Sequence, residues 1–124
     1  MIKIDAIVRE EAMEDIKDAL KNVAVTGMTI SQVVGCGAQL GYTQRVRCSK
    51  IDINVVPKVK FEIVVSNQEW ADLVVSVLRT VAYTGEHGDG KIFVYEIANA
   101  IRIRTGEQGE DAIKSPAQKI EKPE

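Results

Sequence analysis

Ile2, Ile4, Ala6 and Val8 alternate with Lys3, Asp5 and Ile7, a period of two that suits a strand with one buried face. The same pattern returns between Lys58 and Val65, where Val59, Phe61, Ile63 and Val65 alternate with Lys60 and Glu62. Each alternating run precedes a segment of helical period. Between Glu11 and Val23 the apolar positions Ala12, Met13, Ile16, Ala19, Leu20 and Val23 recur at steps of three and four, and Gly27 stands beyond them where a helix stop belongs. After the second run, Ser66 and Glu69 have capping-box spacing, and Trp70, Leu73, Val74, Val77, Leu78 and Val81 form one apolar stripe. Met28 to Cys36 and Lys91 to Ile97 supply the two remaining strands. Two successive strand–helix–strand units predict an α+β fold, a ferredoxin-like double βαβ sandwich whose four-stranded antiparallel sheet carries both helices on one face.

The composition fits that reading. The 124 residues, 45% hydrophobic and 27% charged, suit one compact domain, with residues 1–113 forming it and residues 114–124, polar and proline-bearing, forming a flexible tail. A core of this size has little stability to spare, so oligomerisation would help. Sixteen basic residues against eighteen acidic ones exert no bulk attraction on nucleic acid or anionic membrane, so any anion site has to be local. Cys36 and Cys48 are too few for a disulfide framework and lack zinc-site spacing. Cys48, between Arg47 and Ser49, is a candidate for a reactive thiol, while Cys36 reads as a small apolar group. The start MIKIDAIVRE resembles no leader and no run reaches membrane-spanning length, which predicts a cytoplasmic protein.

Three stretches do not belong to the sandwich. The first is a long loop between the second and third strands, residues 37–56, about twenty residues without sustained period, a length that in a compact domain usually signals function. The second, residues 84–91, has the spacing G-x-x-x-x-G-K from Gly85 to Lys91, in which backbone N–H groups converge on phosphate and a lysine neutralises it. The next residue is Ile92, without the hydroxyl that would hold Mg²⁺, and the turn leads into a strand, so the NTPase reading fails. A phosphate-binding turn and a plain glycine-rich connection both remain open. The third, residues 101–107, is expected to be extended, with Arg102 and Arg104 on one side. They read either as a solvated edge device or, with Lys91 eleven residues before Arg102, as a guanidinium clamp on a polyphosphate. His87 has no catalytic company and reads as an exposed loop residue.

The blocks GMTISQVVGCGAQLGYTQ, VVPKVKFEIVV, TGEHGDGKIFV and IRIRTGEQGEDAI resemble, in order and spacing, the corresponding segments of PII signalling proteins, over Met1 to about Ile113. The resemblance implies a non-catalytic regulator of nitrogen metabolism and a homotrimer with nucleotides in the clefts between subunits. It implies that Gly88, Asp89, Gly90 and Lys91 hold the phosphates of ATP or ADP, that Arg102 and Arg104 reach them from the adjoining chain, and that Thr29, Gly35, Gly37, Glu62 and Val64 shape the adenine and ribose end. For 2-oxoglutarate it implies Arg9, Gln39, Lys58 and Gly88, with Gln39 also on a Mg²⁺ shared with ATP. Residues 37–56 would be the effector loop. The implied partners are an ammonium channel, which would be the only route to a membrane, an enzyme of nitrogen or arginine metabolism, or a transcription factor, without direct nucleic-acid contact. Where many bacterial members carry a uridylylated tyrosine this chain has Ile51, which excludes that modification, whereas Ser49 matches a position phosphorylated in some cyanobacterial members. Ala38 and Lys50 also depart from the family pattern. The rivals are a PII-like sensor of another metabolite, a phosphate-transferring enzyme, which lacks a general base here, and a nucleic-acid binder, for which Arg45 and Arg47 lack an aromatic platform.

Overall fold

The computed structural model describes residues 1–37, 46–47, 50–51 and 54–114. Strand β1 (Ile2–Arg9) leads through a 3₁₀ turn (Glu10–Ala12) into helix α1 (Met13–Asn22), followed by strand β2 (Thr29–Gly37). A two-residue ladder joins β3 (Val46–Arg47) to β4 (Lys50–Ile51). Then come strand β5 (Asn54–Val65), helix α2 (Gln68–Ala82), strand β6 (Gly90–Glu96) and a short helix α3 (Glu110–Ile113). The main sheet has the order β2-β5-β1-β6 with every pair antiparallel, the ferredoxin-like arrangement expected from the two strand–helix–strand units.

One face of that sheet is closed by α1 and α2. Ile4, Ala6, Val59, Phe61 and Ile63 meet Ile16 and Leu20 of α1 and Val74 and Leu78 of α2, all of them buried. Each large apolar side chain so enclosed contributes roughly 1.5–3 kcal/mol relative to leaving it in water.

Three local boundaries differ from the expectation. The helix stop is not Gly27: Ala24 takes the left-handed conformation (φ 65°), its N–H donating to Lys21 O at 3.0 Å and that of Val25 to Leu20 O at 2.9 Å. This is a Schellman closure with alanine in glycine's usual place, and Leu20 and Val25 at its two ends are both buried in the core. The cap of α2 is Asn67, not Ser66; its side-chain oxygen accepts the Trp70 N–H at 2.9 Å. The third strand starts at Asn54 rather than Lys58, because β2 continues to pair with it as far as Gly37 opposite Asn54. Among the described residues no helix is long and apolar enough to cross a membrane.

Candidate functional site

Residues facing each other across an antiparallel ladder lie on the same face of the sheet. The register therefore sorts the residues opposite the helices into rows. Val64, Lys3 and Tyr95 form one row; Thr29, Glu62, Asp5 and Phe93 the next; Ser31, Lys60, Ile7 and Lys91 a third; Val33, Lys58 and Arg9 a fourth, with Gly35 beside Val56 beyond it. Thr29, Gly35, Glu62, Val64, Lys58, Arg9 and Lys91, scattered over the sequence, thus share one face.

The 84–91 turn closes over the Arg9 end of that face. Arg9 donates from Nη2 to His87 O at 2.7 Å, and Lys58 donates from Nζ to Gly88 O at 2.6 Å. Gly88 has φ 93°, a conformation that favours glycine, and a Cβ there would be in ordinary contact at 3.4 Å from Arg9 Nη2 and 3.7 Å from Lys58 Nζ, so it is the turn that calls for glycine. Gly90 is more constrained: at φ 128° an added Cβ would lie 2.3 Å from the Ile7 carbonyl oxygen, where the turn enters the sheet. Arg9 Nε is buried and has no hydrogen-bond partner among the described residues, which leaves an unsatisfied donor beside the turn.

The Asp89 side chain turns back onto its own loop. Its Oδ2 accepts the Thr84 N–H at 3.1 Å, while Thr84 Oγ1 accepts the Glu86 N–H at 3.1 Å. The Thr84 amide above all, with the Gly85 and Asp89 amides and the Arg9 charge adding to it, holds this carboxyl below the ordinary aspartate range against the opposing effect of desolvation. Farther along the same face, Lys3 pairs with Glu62 at 2.9 Å and lies over the Tyr95 ring, 5.5 Å from its centroid. Its hydrogen bond to Glu62, then that to Tyr95, pushes the Lys3 ammonium above the usual lysine range. Asp5, buried at the centre, accepts from the Tyr95 hydroxyl at 2.5 Å and has Lys3 and Lys60 within 3.6 and 3.8 Å. This network was invisible to sequence reasoning, since Asp5 and Tyr95 meet only through the β1–β6 register.

Arg102 and Arg104 do not project together from an extended segment. Residues 103–105 turn, with the Gly106 N–H donating to Arg102 O at 2.8 Å and the Arg102 N–H to Glu107 O at 2.9 Å. Arg102 points to α3, whereas Arg104 is exposed and makes no hydrogen bond or ion pair among the described residues. Neither is bonded to the 84–91 turn within this chain. Gly37 ends β2. Gln39, Ala38, Arg45, Cys48 and Ser49 lie outside the described residues. Cys36, read as a packed apolar group, is exposed.

A groove of about 410 Å³ borders the turn on the helix side, between Leu78, Ala82 and Tyr83 of the α2 end and Gly90 to Ile92. It shares Asp89, Gly90 and Lys91 with the site, but the basic rows lie on the other face of the sheet. Around the turn Arg9, Lys58 and Lys91 offer cations, while of its two carboxylates Glu86 is exposed and Asp89 accepts the Thr84 amide. No group of three or more His, Cys, Asp or Glu able to hold a metal occurs among the described residues. Such a set of cations suits an anionic ligand.

The family model described as nitrogen regulatory protein P-II matches residues 1–107. The chain is 44% identical over 113 residues to the nitrogen regulatory protein P-II of Pasteurella multocida and 46% identical over 113 residues to nitrogen regulatory protein P-II 1 of Escherichia coli K12, covering 91% of this chain and 100% of each relative. Among solved structures it is similar to GlnK of B. subtilis, with TM-score 0.75 and 45% identity over 90% of this chain and 96% of that one. It is also similar to a GlnK–ATP complex of B. subtilis, with TM-score 0.73 and 42% identity over 90% of this chain and 95% of the other.

Proposed function

The chain belongs to the nitrogen regulatory protein P-II family, and from that premise we propose that it senses adenine nucleotide and 2-oxoglutarate jointly and reports them to partner proteins through residues 37–56. The family is one of non-catalytic regulators, and the general role in nitrogen signalling follows from membership. The ligands are the proposal.

The observation that carries it is the pair of bonds from Arg9 and Lys58 to consecutive carbonyls of the 84–91 turn. Two cations suited to a dicarboxylate are thereby held against a turn suited to polyphosphate, so the two ligands would occupy neighbouring positions and sense each other. The partnerless Nε of Arg9 supports an acidic occupant. Lys91, exposed at the start of β6, would meet the nucleotide phosphates, and Gly88 and Gly90 would let the backbone approach them. Glu62 and Thr29, in one row, would take the ribose end together with Gly35, Gly37 and Val64. Asp89 would act by bracing the turn. Arg102 and Arg104 would come from an adjoining subunit of a homotrimer. Gln39 would join the Mg²⁺ that ATP and 2-oxoglutarate bring.

ATP would then favour the arrangement of residues 37–56 that admits 2-oxoglutarate, and ADP another, since only a ligand with different affinities for two states shifts their populations. An ammonium channel, an enzyme of nitrogen or arginine metabolism, or a transcription factor would read the result. Calorimetric titration with 2-oxoglutarate and Mg²⁺ tests this in the presence of ATP and then of ADP. Binding with ATP only is expected; nucleotide binding without any 2-oxoglutarate response would move the protein to the alternative, a PII-like sensor of another metabolite.

A further inference from the structure

Arg102 is committed within its own chain. Its Nη2 donates to Lys114 O at 3.0 Å, to Ala112 O at 3.2 Å and to Asp111 O at 3.4 Å, and Nη1 lies 3.8 Å from Glu107 Oε1. These carbonyls end α3, a helix of four residues whose last carbonyls have no intrahelical partner. The backbone carrying Arg102 is fixed by other bonds: Gly109 N–H donates to Ala100 O at 2.9 Å and to Asn99 Oδ1 at 3.1 Å, and Asn99 Nδ2 donates to Gln108 Oε1 at 2.9 Å. The guanidinium can therefore turn away while the hairpin that holds it stays.

The seat of α3 is shallow. A cavity of about 190 Å³ is lined by Ile113 and Glu110 on one side and by Val65, Asn67 and Trp70 on the other, and Arg102 ties the end of α3 to the hairpin that precedes it. Trp70 is the single tryptophan and only 6% exposed, which makes it an internal reporter of that seat.

We propose that Arg102 is a latch with two positions, holding either the carbonyls of α3 or the phosphates of a nucleotide, so that nucleotide binding unfastens α3 beside Trp70. The proposal rests on the nucleotide reading given above. A phosphate offers charge-assisted, bidentate bonds that are shorter and stronger than those to neutral carbonyls, so the exchange runs toward the nucleotide. All three carbonyl bonds run from Nη2, so a guanidinium turned to present its fork to phosphate breaks them together. Arg104, with no such tie, has only the second role.

The test is Trp70 emission, excited at its red edge, with ATP binding measured by calorimetry on the same full-length samples. In the unsubstituted protein ATP is expected to shift the emission to longer wavelength, half-complete at the calorimetric Kd. Arg102→Ala should show the longer wavelength without nucleotide and respond no further, while Arg102→Lys, which keeps a cation but not the fork, should lie between. Arg104→Ala should start from the unsubstituted spectrum. Calorimetric binding of ATP with unmoved emission, or an Arg102→Ala spectrum equal to that of the unsubstituted protein, overturns the latch. Failure of ATP to bind at all overturns the nucleotide reading and the exchange with it.

Discussion

The two faces of the sheet are made by the same four strands and do opposite things. Toward the helices, Ile4, Ala6, Phe61 and Ile63 are apolar and fully enclosed, and what they contribute is stability. Toward the other side the same strands carry Lys3, Asp5, Arg9, Lys58, Lys60, Glu62 and Lys91, whose bonds position charges. Because strand residues alternate faces, a substitution can alter one property with little effect on the other. The difference teaches that the buried core and the placement of charges are separated by parity along each strand, not by distance between regions.

The separation can be tested most severely at Phe61. Phe61→Ala removes a fully buried ring and should cost about 3–5 kcal/mol in urea unfolding, while the molecules that remain folded bind nucleotide with unchanged affinity. Lys91→Ala is the mirror image on the other face. It should weaken ATP at least about tenfold, as expected for a lost charge-assisted bond, and leave unfolding free energy within about 0.5 kcal/mol; unchanged ATP affinity would remove Lys91 from the proposed site. Ala24→Gly tests the helix layer alone. Relief of the left-handed alanine outweighs the added freedom of the unfolded chain, so a gain of about 0.5 kcal/mol is expected in thermal unfolding, with no change in binding. The smallest effect is electrostatic. The folded state holds the Asp89 carboxyl below its ordinary value, so its contribution to stability is full above about pH 4 and is lost as pH falls through the lower, folded value. The Tm gap between the unsubstituted protein and Asp89→Asn should accordingly be constant above that pH and close below it.

Most of the helix-side face was legible from the sequence because period two in β1 and β5 and the helical stripes of α1 and α2 are local signals. The misplacements have local competitors as their cause. Asn67 outcompetes Ser66 as a cap because its oxygen reaches the Trp70 amide, and Ala24 accepts a conformation usually left to glycine because Val25 is drawn into the core. Asn54 to Val56 lack a period and read as the end of the long loop, but the ladder to β2 makes them strand. On the open face, Arg9, Thr29, Lys58, Glu62 and Lys91, named from the family resemblance, share one surface through the strand register, while the Asp5, Tyr95 and Lys3 network escaped, since no period reveals which strands become neighbours. Arg102 shows the same limit: its spacing from Arg104 suggested a common direction, and the unsatisfied carbonyls of α3 turned it elsewhere.

The strand order has a consequence for how the molecule comes into being. β1 is the first strand to be synthesised, yet it lies between β5 and β6, with Ile2 facing Val65 on one side and Glu96 on the other. Such non-local pairing has to close long stretches of chain before it is rewarded, which slows folding relative to a fold built from sequence neighbours. An apolar strand must wait in the nascent chain until almost the whole domain has left the ribosome, so the interval before β6 docks is when the protein is most exposed to aggregation and to chaperones.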